Sequence, residues 1–206
     1  MLLADDNSQE DPLGGISEAQ IVAALGQEQS NPTPPALLHG KLTPASVLIP
    51  FLRFPAGWHI LFTRRTDRVE THKGQVAFPG GSADRSDRDP DQTALRETFE
   101  ETGILPQDVR ILGRMAEFPT FTGFLITPVI GIVSWPQTLK LEEAEVSRAF
   151  TVPLSWLASS TNYELRPYLR PNGEKEMVVF YHLYDTEQIW GVTGRIMLNL
   201  IHLLKK

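Results

Sequence analysis

Cysteine is absent from this chain of 206 residues, and several other common sequence signals are missing with it. Without cysteine the chain forms no disulfide, binds no metal through thiolates and carries no cysteine nucleophile, so its chemistry must depend on oxygen and nitrogen. The N-terminal Leu2 and Leu3 are soon followed by Asp5 and Asp6, a pattern without the basic and apolar segments of an export signal. We therefore expect a protein of a reducing, cytoplasmic compartment.

Long apolar runs and an excess of positive charge are also missing. The longest apolar segments, around residues 45–54 and 124–135, are broken by proline or polar residues and are too short to cross a bilayer as helices. The formal net charge of −6 argues against broad binding to nucleic acid, which usually requires a basic surface. We expect partners other than membranes and nucleic acid.

The length and the order of predicted elements favour one sizeable domain, which we assign to residues 16–206. Residues 1–15 are acidic, contain two glycines and lack periodicity, so they predict a mobile N-terminal tail. Strands dominate the remaining pattern, and three helices are predicted among them, so the economical architecture is a mixed β-sheet flanked by helices. The predicted strands cover residues 45–53, 58–65, 75–78, 109–117, 124–135, 148–152, 163–169 and 177–184, and the predicted helices cover residues 17–26, 91–102 and 191–204.

The most informative stretch covers residues 72–104 and ends in the sequence RETFEETGI. On a helix, Glu97, Glu100 and Glu101 fall within roughly one third of the circumference, since each residue advances the helix by about 100°. Three like charges this close destabilise the helix unless a positive group lies among them. A divalent cation such as Mg²⁺ or Mn²⁺ meets this need, because hard cations prefer oxygen ligands. The alternative is a solvated acidic helix face.

A glycine pair and a basic segment precede this helix. Gly80 and Gly81 either end a strand in a turn or let the backbone approach a metal or phosphate without a Cβ clash. Arg64, Arg65 and Lys73 are candidate contacts for an anionic substrate, although most surface arginines are simply solvated. The neighbouring Arg68 is a weaker candidate of the same kind, and His72 is interpreted as a structural hydrogen-bonding residue.

The residues from Gly81 through Arg96, Glu97, Glu100 and Glu101 to Ile104 resemble the signature box of the Nudix hydrolases. The loop before Arg96 is one residue longer than the general box, and Asp87 stands near the position of its first glutamate. Three further segments resemble the coenzyme A pyrophosphatase branch of that family, at residues 61–81, 121–131 and 189–197. The resemblance covers most of residues 45–204.

The resemblance implies an α/β/α sandwich and hydrolysis of a diphosphate bond with Mg²⁺ or Mn²⁺ on the box helix. The metal ligands would be Glu97, Glu100 and Glu101, and Arg96 would orient a glutamate through a charge-assisted hydrogen bond. The general base stays open between Glu101 and a glutamate of the later sequence LEEAEV, for which Glu143 is our representative beside Glu142 and Glu145. An exposed acidic loop is the alternative interpretation of that sequence.

The implied substrate is coenzyme A or an acyl-CoA, cleaved to 3′,5′-ADP and 4′-phosphopantetheine or its acyl derivative, by a monomer or homodimer. One alternative is a pyrophosphatase for ADP-ribose or another molecule linked to a nucleoside diphosphate. A second alternative, from a different class, is a Nudix-fold binding module without catalysis. Such a module should have lost carboxylates of the box, whereas all three are present in this sequence.

Overall fold

A computed structural model describes residues 13–26, 42–67, 73–169, 173 and 175–206. The helices found in these residues are α1 (Glu18–Gly26), α2 (Pro90–Thr102), α3 (Leu154–Ala158) and α4 (Gly191–Leu204). The strands are β1 (Thr43–Phe54), β2 (Gly57–Arg65), β3 (Val76–Ala77), β4 (Gly80–Ser82), β5 (Val109–Arg114), β6 (Phe118–Pro119), β7 (Phe124–Val133), β8 (Val146–Pro153), β9 (Tyr163–Leu169) and β10 (Lys175–Tyr181).

The central sheet is mixed, as the sequence predicts. Strand β1 pairs antiparallel with β2 and parallel with β7. Strand β8 extends the sheet beyond β2, and β5 extends it beyond β7, both antiparallel. The short strands β3, β4 and β6 complete this sheet, whereas β9 and β10 form a separate antiparallel hairpin. The sheet therefore places β2 between β1 and β8, and the site described below is built at the end of β2.

Two apolar layers cover the two faces of the sheet. Side chains alternate between the faces of a strand, so Leu48 and Leu52 of β1 pack with Ala94 of α2 on one face. Ile49 and Phe51 point to the opposite face, where the buried residues of α1, α3 and α4 form the larger core. Helices thus lie on both sides of a mixed sheet, which confirms the predicted α/β/α sandwich.

Helix α2 has a defined signal at each end. Asp89 caps the first turn, its side chain accepting a hydrogen bond of 3.0 Å from the backbone N–H of Gln92, and Pro90 occupies the first turn, where no backbone donor is needed. At the other end Gly103 adopts the left-handed conformation with φ of 75°, and its N–H donates to the carbonyl of Phe99. These caps fix where the helix starts and stops.

The described structure differs from the sequence predictions at the N-terminus. Residues 1–12 lie outside the described residues, but Leu13 is buried in the core, and the carbonyl of Ile16 accepts a hydrogen bond of 2.9 Å from the Trp58 side chain. The folded part therefore includes residues 13–15, which the sequence analysis assigns to the tail.

The remaining elements agree with the predictions to within a few residues at their ends. The predicted hairpin at residues 163–184 is formed by β9 and β10, and the predicted last helix is α4. The short helix α3, which follows β8 directly, has five residues. Within the described ranges, no helix is both long enough and apolar enough to span a membrane.

Candidate active site

The three glutamates of α2 share one side of the helix but occupy different environments. The side chain of Glu100 is 54% exposed and that of Glu97 is 18% exposed, whereas Glu101 is buried with 5% of its surface accessible. Glu101 is buried because α2 packs against the sheet at this turn, with Thr98 and Thr102 also fully buried beside it. The cluster is therefore a half-buried acidic site and not the solvated face of the alternative interpretation.

Arg96 connects the glutamates to the loop that precedes α2. Its guanidinium donates to both carboxylate oxygens of Asp87, at 3.1 and 2.9 Å, and to the carbonyl of Ser82 at 3.0 Å. It also donates to Glu97 at 2.9 Å and to Glu100 at 3.0 Å. A planar guanidinium can form all of these bonds at once because its donors have a fixed fork geometry.

Asp87 is the carboxylate that holds Arg96 from the loop side. The hydrogen bonds from Arg96 lower the pKa of Asp87 to about 2, with further bonds from the Asp84 backbone and the Thr93 hydroxyl acting in the same direction. Asp87 is therefore ionised at neutral pH and permanently paired. The sequence comparison had singled out this residue only for its offset position in the box, whereas the structure gives it a positioning role.

Glu101 is the carboxyl group with the most perturbed environment. Burial raises its pKa to about 8, the negative charges of Glu145 and Glu97 act in the same direction, and the positive charge of Arg65 and a hydrogen bond from the Gly80 backbone oppose them. One carboxyl oxygen, Oε2, is buried without a hydrogen-bond partner. A buried acceptor without a donor costs stability, so this oxygen marks a place where the fold leaves room for a positive ligand.

Glu97 is also shifted, for related reasons. Burial raises its pKa most strongly, and the charges of Glu100 and Glu145 raise it further, while the hydrogen bond and charge of Arg96 lower it. Glu97 and Glu101 thus share Glu145 as an acidic neighbour, and Glu97 also acts on Glu101. A ligand with positive charge would relieve both glutamates at once.

The glycine pair has a steric function at this site. A Cβ atom built on Gly81 would lie 2.5 Å from Oε2 of Glu97 and 2.6 Å from its carboxyl carbon. A Cβ atom on Gly80 would lie 2.4 Å from the carbonyl oxygen of Ser46. Strand β4 therefore needs glycine at both positions, at Gly80 to pair with β1 and at Gly81 to admit the Glu97 carboxylate.

The loop before β8 is attached to the C-terminal end of α2 by backbone hydrogen bonds. The N–H groups of Lys140 and Glu142 donate to the carbonyls of Thr102 and Glu101, at 2.9 and 3.1 Å. These carbonyls belong to the last turn of a helix, where no partner exists within the helix itself. The loop therefore satisfies the helix end and at the same time carries its acidic residues toward the site.

Of the glutamates in this loop, the structure brings Glu145 to the α2 cluster. Its charge raises the pKa values of both Glu97 and Glu101, and its carbonyl accepts a hydrogen bond of 2.8 Å from the N–H of Thr66. Glu143, our representative base, and Glu145 are both exposed to solvent, but only the charge of Glu145 acts on these two pKa values. The sequence offered no signal that separates these two glutamates, since the difference depends on the pairing at the end of β2.

The predicted basic contacts divide between the two faces of the sheet. The charge of Arg65 acts on Glu101, and its Nε atom is buried without a hydrogen-bond partner. Arg64 alternates with Arg65 along β2 and instead lies near Glu187 and Asp67, at 3.5 and 3.7 Å. Lys73 is exposed. Arg68 and the residue interpreted as structural, His72, lie outside the described residues.

The oxygen-rich donor set fits a hard divalent cation. Among the residues that the structure describes, no three acidic or histidine side chains already converge as a complete metal site. In this arrangement Arg96 holds the carboxylates of Glu97 and Glu100. The unpartnered oxygen of Glu101 and the room that Gly81 leaves for Glu97 are the features that a cation would use.

Comparison with known proteins places this geometry in context. A family model described as the NUDIX domain matches residues 42–171. A protein of Photorhabdus laumondii with the name uncharacterized Nudix hydrolase NudL is 39% identical over 169 residues, which cover 82% of this chain and 89% of the relative. A protein of the same name from Pectobacterium atrosepticum is 36% identical over 156 residues, covering 76% of this chain and 80% of the relative.

Solved structures show weaker similarity. A Nudix hydrolase from M. smegmatis, RenU, has a TM-score of 0.49 and 22% sequence identity, and the match covers 58% of this chain and 76% of that chain. A Nudix hydrolase from Alicyclobacillus acidocaldarius has a TM-score of 0.47 and 18% identity, and the match covers 78% of this chain and 91% of that chain.

Proposed function

Because this chain belongs to the Nudix hydrolase family, whose members act on diphosphate bonds, we propose that it hydrolyses the diphosphate of coenzyme A or acyl-CoA. The products are 3′,5′-ADP and 4′-phosphopantetheine, or the acylated form of the latter. The observation that carries the proposal is Glu101, a buried carboxyl group with an unpartnered oxygen and with Glu97 and Glu145 as acidic neighbours.

The substrate assignment draws on sequence segments outside the box. Residues 61–81, 121–131 and 189–197 resemble the coenzyme A branch, and the first of these segments contains Arg65, Gly80 and Gly81 of the site. The relatives named NudL support the family, and their name does not state a substrate. ADP-ribose or another molecule linked to a nucleoside diphosphate is therefore the alternative substrate class.

We assign the divalent metal, Mg²⁺ or Mn²⁺, to Glu97, Glu100 and Glu101. When bound, such a cation would neutralise charge on the diphosphate and lower the pKa of an attacking water. The chain's own contribution is to keep these carboxylates in place. Arg96, itself anchored by Asp87, orients Glu97 and Glu100, and Gly81 leaves space for the Glu97 carboxylate.

In the reaction, the oxygen of water forms a bond to one phosphorus, and the bond from that phosphorus to the bridging oxygen breaks. The water proton passes to a carboxylate, and we place this base at Glu145 or Glu101, both near Glu97. Glu143 stays a candidate for the base. Exchanging each glutamate of the loop for glutamine in turn tests which of them is required. The charge of Arg65, on β2, acts on Glu101 of the acidic cluster. We therefore propose that Arg65 contacts the substrate diphosphate.

The proposal is tested by incubating the purified protein with Mg²⁺ or Mn²⁺ and a panel of diphosphate substrates, and by separating the products chromatographically. We expect 3′,5′-ADP from coenzyme A, with a kcat/KM well above that for ADP-ribose. Equal turnover of the two substrates would reject the coenzyme A assignment. Binding of coenzyme A without turnover of any substrate in the panel would instead support the binding module.

A further inference from the structure

A cavity of about 430 Å³ lies beside the outer edge of β8, away from the glutamates of α2. Its volume is in the range of small-molecule sites, roughly 300–1,000 Å³. One wall comes from the segment after β7, with Trp135 and Leu139, and the other wall comes from the turn after β10, with Tyr184 and Asp185. Leu61 of β2 and residues 148–151 of β8 form the part between these walls.

The register of β8 shows that the cavity opens at the edge of the sheet. Thr151 is paired with Leu61, so the side chains of both lie on the face covered by α2, and Phe150 points to the opposite face. Because the cavity contacts residues of both faces, it must wrap around the strand edge. Within the described ranges β8 pairs with β2 alone, so the edge turned away from β2 presents backbone donors and acceptors to the cavity.

The far wall of the cavity is a strained turn. Asp185 and Thr186 both have positive φ, 47° and 68°, and such a conformation is unusual for a β-branched residue such as threonine. Arg148 of β8 holds the turn by donating to the Asp185 carbonyl at 3.0 Å, to the Asp185 carboxylate and to Glu187 at 3.1 Å. Strain that is held by specific contacts is typical of ligand clamps.

The same contacts decide the charge of the ligand that the cavity can take. The guanidinium of Arg148 is already paired with two carboxylates, those of Asp185 and Glu187, so it offers little attraction to a further anion. The other lining side chains are uncharged. An uncharged ligand with its own amide groups fits this cavity better than a phosphate does.

The cavity also has a defined position relative to the candidate active site. Arg148 is paired with Arg64, and the next residue of β2 is Arg65, whose charge acts on Glu101. The four lining residues of β8 span about 10 Å, three steps of roughly 3.3 Å along a strand. Because β8 is the direct neighbour of β2, this edge lies one strand away from Arg65.

We infer that the outer edge of β8 binds the pantetheine arm of the substrate, which pairs with the strand through its two secondary amides. The inference rests on the proposed hydrolysis of coenzyme A, and it names β8 as the strand that recognises the pantetheine arm. An extended diamide has donors and acceptors spaced much like those of a peptide, and peptides are commonly recognised by addition to an open strand edge. The walls of Trp135 and Leu139 on one side and Tyr184 on the other enclose its apolar groups.

The first test fills the cavity and compares two substrates. Ala149→Phe should raise the KM for coenzyme A by at least ~10-fold, equivalent to about 1.4 kcal/mol, through loss of the arm site. The second substrate is an ester of 3′-phospho-ADP with a simple alkyl chain, which lacks the amides. Its KM should change by less than about 2-fold in the same variant. Ala23→Phe, at an exposed position of α1, is the matched control and should leave both values unchanged. Equal effects of Ala149→Phe on both substrates, or no effect on either, would overturn the inference.

The second test does not depend on turnover or on that variant. Hydrogen exchange of the wild-type protein should show slower exchange of amides in residues 148–151 when 4′-phosphopantetheine is added, because an edge N–H gains an acceptor. Protection by 3′,5′-ADP and not by 4′-phosphopantetheine would overturn the inference in favour of an adenine site. If coenzyme A is not hydrolysed and 4′-phosphopantetheine still protects these amides, the proposed function fails and the arm site stands.

Discussion

Two charged clusters lie on either side of β2 near its end, and they differ in how nearly their charges are balanced. The first, which we call the α2 cluster, contains Asp87, Glu97, Glu100, Glu101 and Glu145 together with Arg65 and Arg96. The second, which we call the β8 cluster, contains Arg64, Arg148, Asp67, Asp185 and Glu187. In the β8 cluster each arginine has two carboxylate partners, and Glu187 bridges both arginines. In the α2 cluster, acidic groups exceed arginines by five to two, and an oxygen of Glu101 has no partner.

This difference separates charge that stabilises the fold from charge that is available for chemistry. A balanced cluster gains little from a further ion, whereas an unbalanced and partly buried cluster gains a great deal. Within the α2 cluster, burial and acidic neighbours raise the pKa values of Glu97 and Glu101. Arg64 and Arg65 are adjacent in the sequence, yet the alternation of β2 assigns them to different clusters.

The largest expected effect on activity comes from removing a charge from the α2 cluster, and the matched change in the β8 cluster serves as its comparison. Glu101→Gln should reduce kcat by more than the ~10–100-fold typical of residues that only orient a metal ligand, because it removes a proposed ligand itself. Glu187→Gln should leave kcat within about 3-fold and lower the free energy of unfolding by about 1–2 kcal/mol, because it weakens two ion pairs. Steady-state kinetics with Mg²⁺ and denaturant titrations measure the two effects. Full activity of Glu101→Gln would remove the functional distinction between the clusters.

Gly81→Ala tests whether the α2 cluster depends on the close approach of β4. The added methyl group collides with the Glu97 carboxylate, so we expect Glu97 to move and kcat/KM to fall by roughly 10–100-fold. Gly15→Ala is the matched control, since a Cβ atom there meets nothing within 4 Å. Isothermal titration with Mn²⁺ should show weaker binding for Gly81→Ala only. Unaltered binding by both variants would show that Glu97 needs no such space.

Arg96→Lys tests whether the α2 cluster depends on geometry or only on net charge. Lysine keeps the charge but cannot bond Asp87 through two nitrogens while also reaching Glu97 and Glu100, so we expect kcat to fall by about 10-fold or more. Arg114→Lys, which changes an exposed pair with Asp91, should have little effect on the same assay. Retention of full activity in Arg96→Lys would mean that the charge alone suffices.

The pH dependence of stability without metal reports on the burial of Glu101, and not on activity. The folded pKa of Glu101, about 8, lies above its ordinary value of 4.5, so the fold favours the protonated form. Its stabilising contribution is fully present below about 4.5 and is lost as the pH rises through 8. In the presence of a chelator, the free energy of unfolding of wild type relative to Glu101→Gln should fall over this window. A difference that is constant from pH 4.5 to 8 would contradict the raised pKa.

Mg²⁺ should reverse this trend. Because a carboxylate must lose its proton to bind a metal, the increase in Tm caused by Mg²⁺ should grow as the pH rises toward 8. Thermal scans at several pH values, with Mg²⁺ and with chelator, provide the measurement. The Glu101→Gln variant should show a smaller increase that changes less with pH. An equal increase at every pH in both proteins would place the metal elsewhere.

Much of the fold and part of the site could be predicted from local sequence patterns. The period of α2 places three glutamates on one side of a helix, and this signal acts within a few residues. The edge position of β8 and the effect of the Glu145 charge on the α2 glutamates could not be predicted in this way. Both depend on pairing between β2 and β8, whose partner residues are 81 to 94 positions apart in the sequence.

The sequence by itself determined the family, the sandwich of helices on a mixed sheet and the identity of the acidic helix, because periodicity, caps and fixed motif spacing are local properties. Only the tertiary structure decided that Glu101 is the buried glutamate, that Asp87 anchors Arg96 and that Arg64 and Arg65 serve different clusters. Burial and charge neutralisation depend on residues brought together from distant segments. The same acidic or basic side chain is therefore structural in one environment and available for chemistry in another.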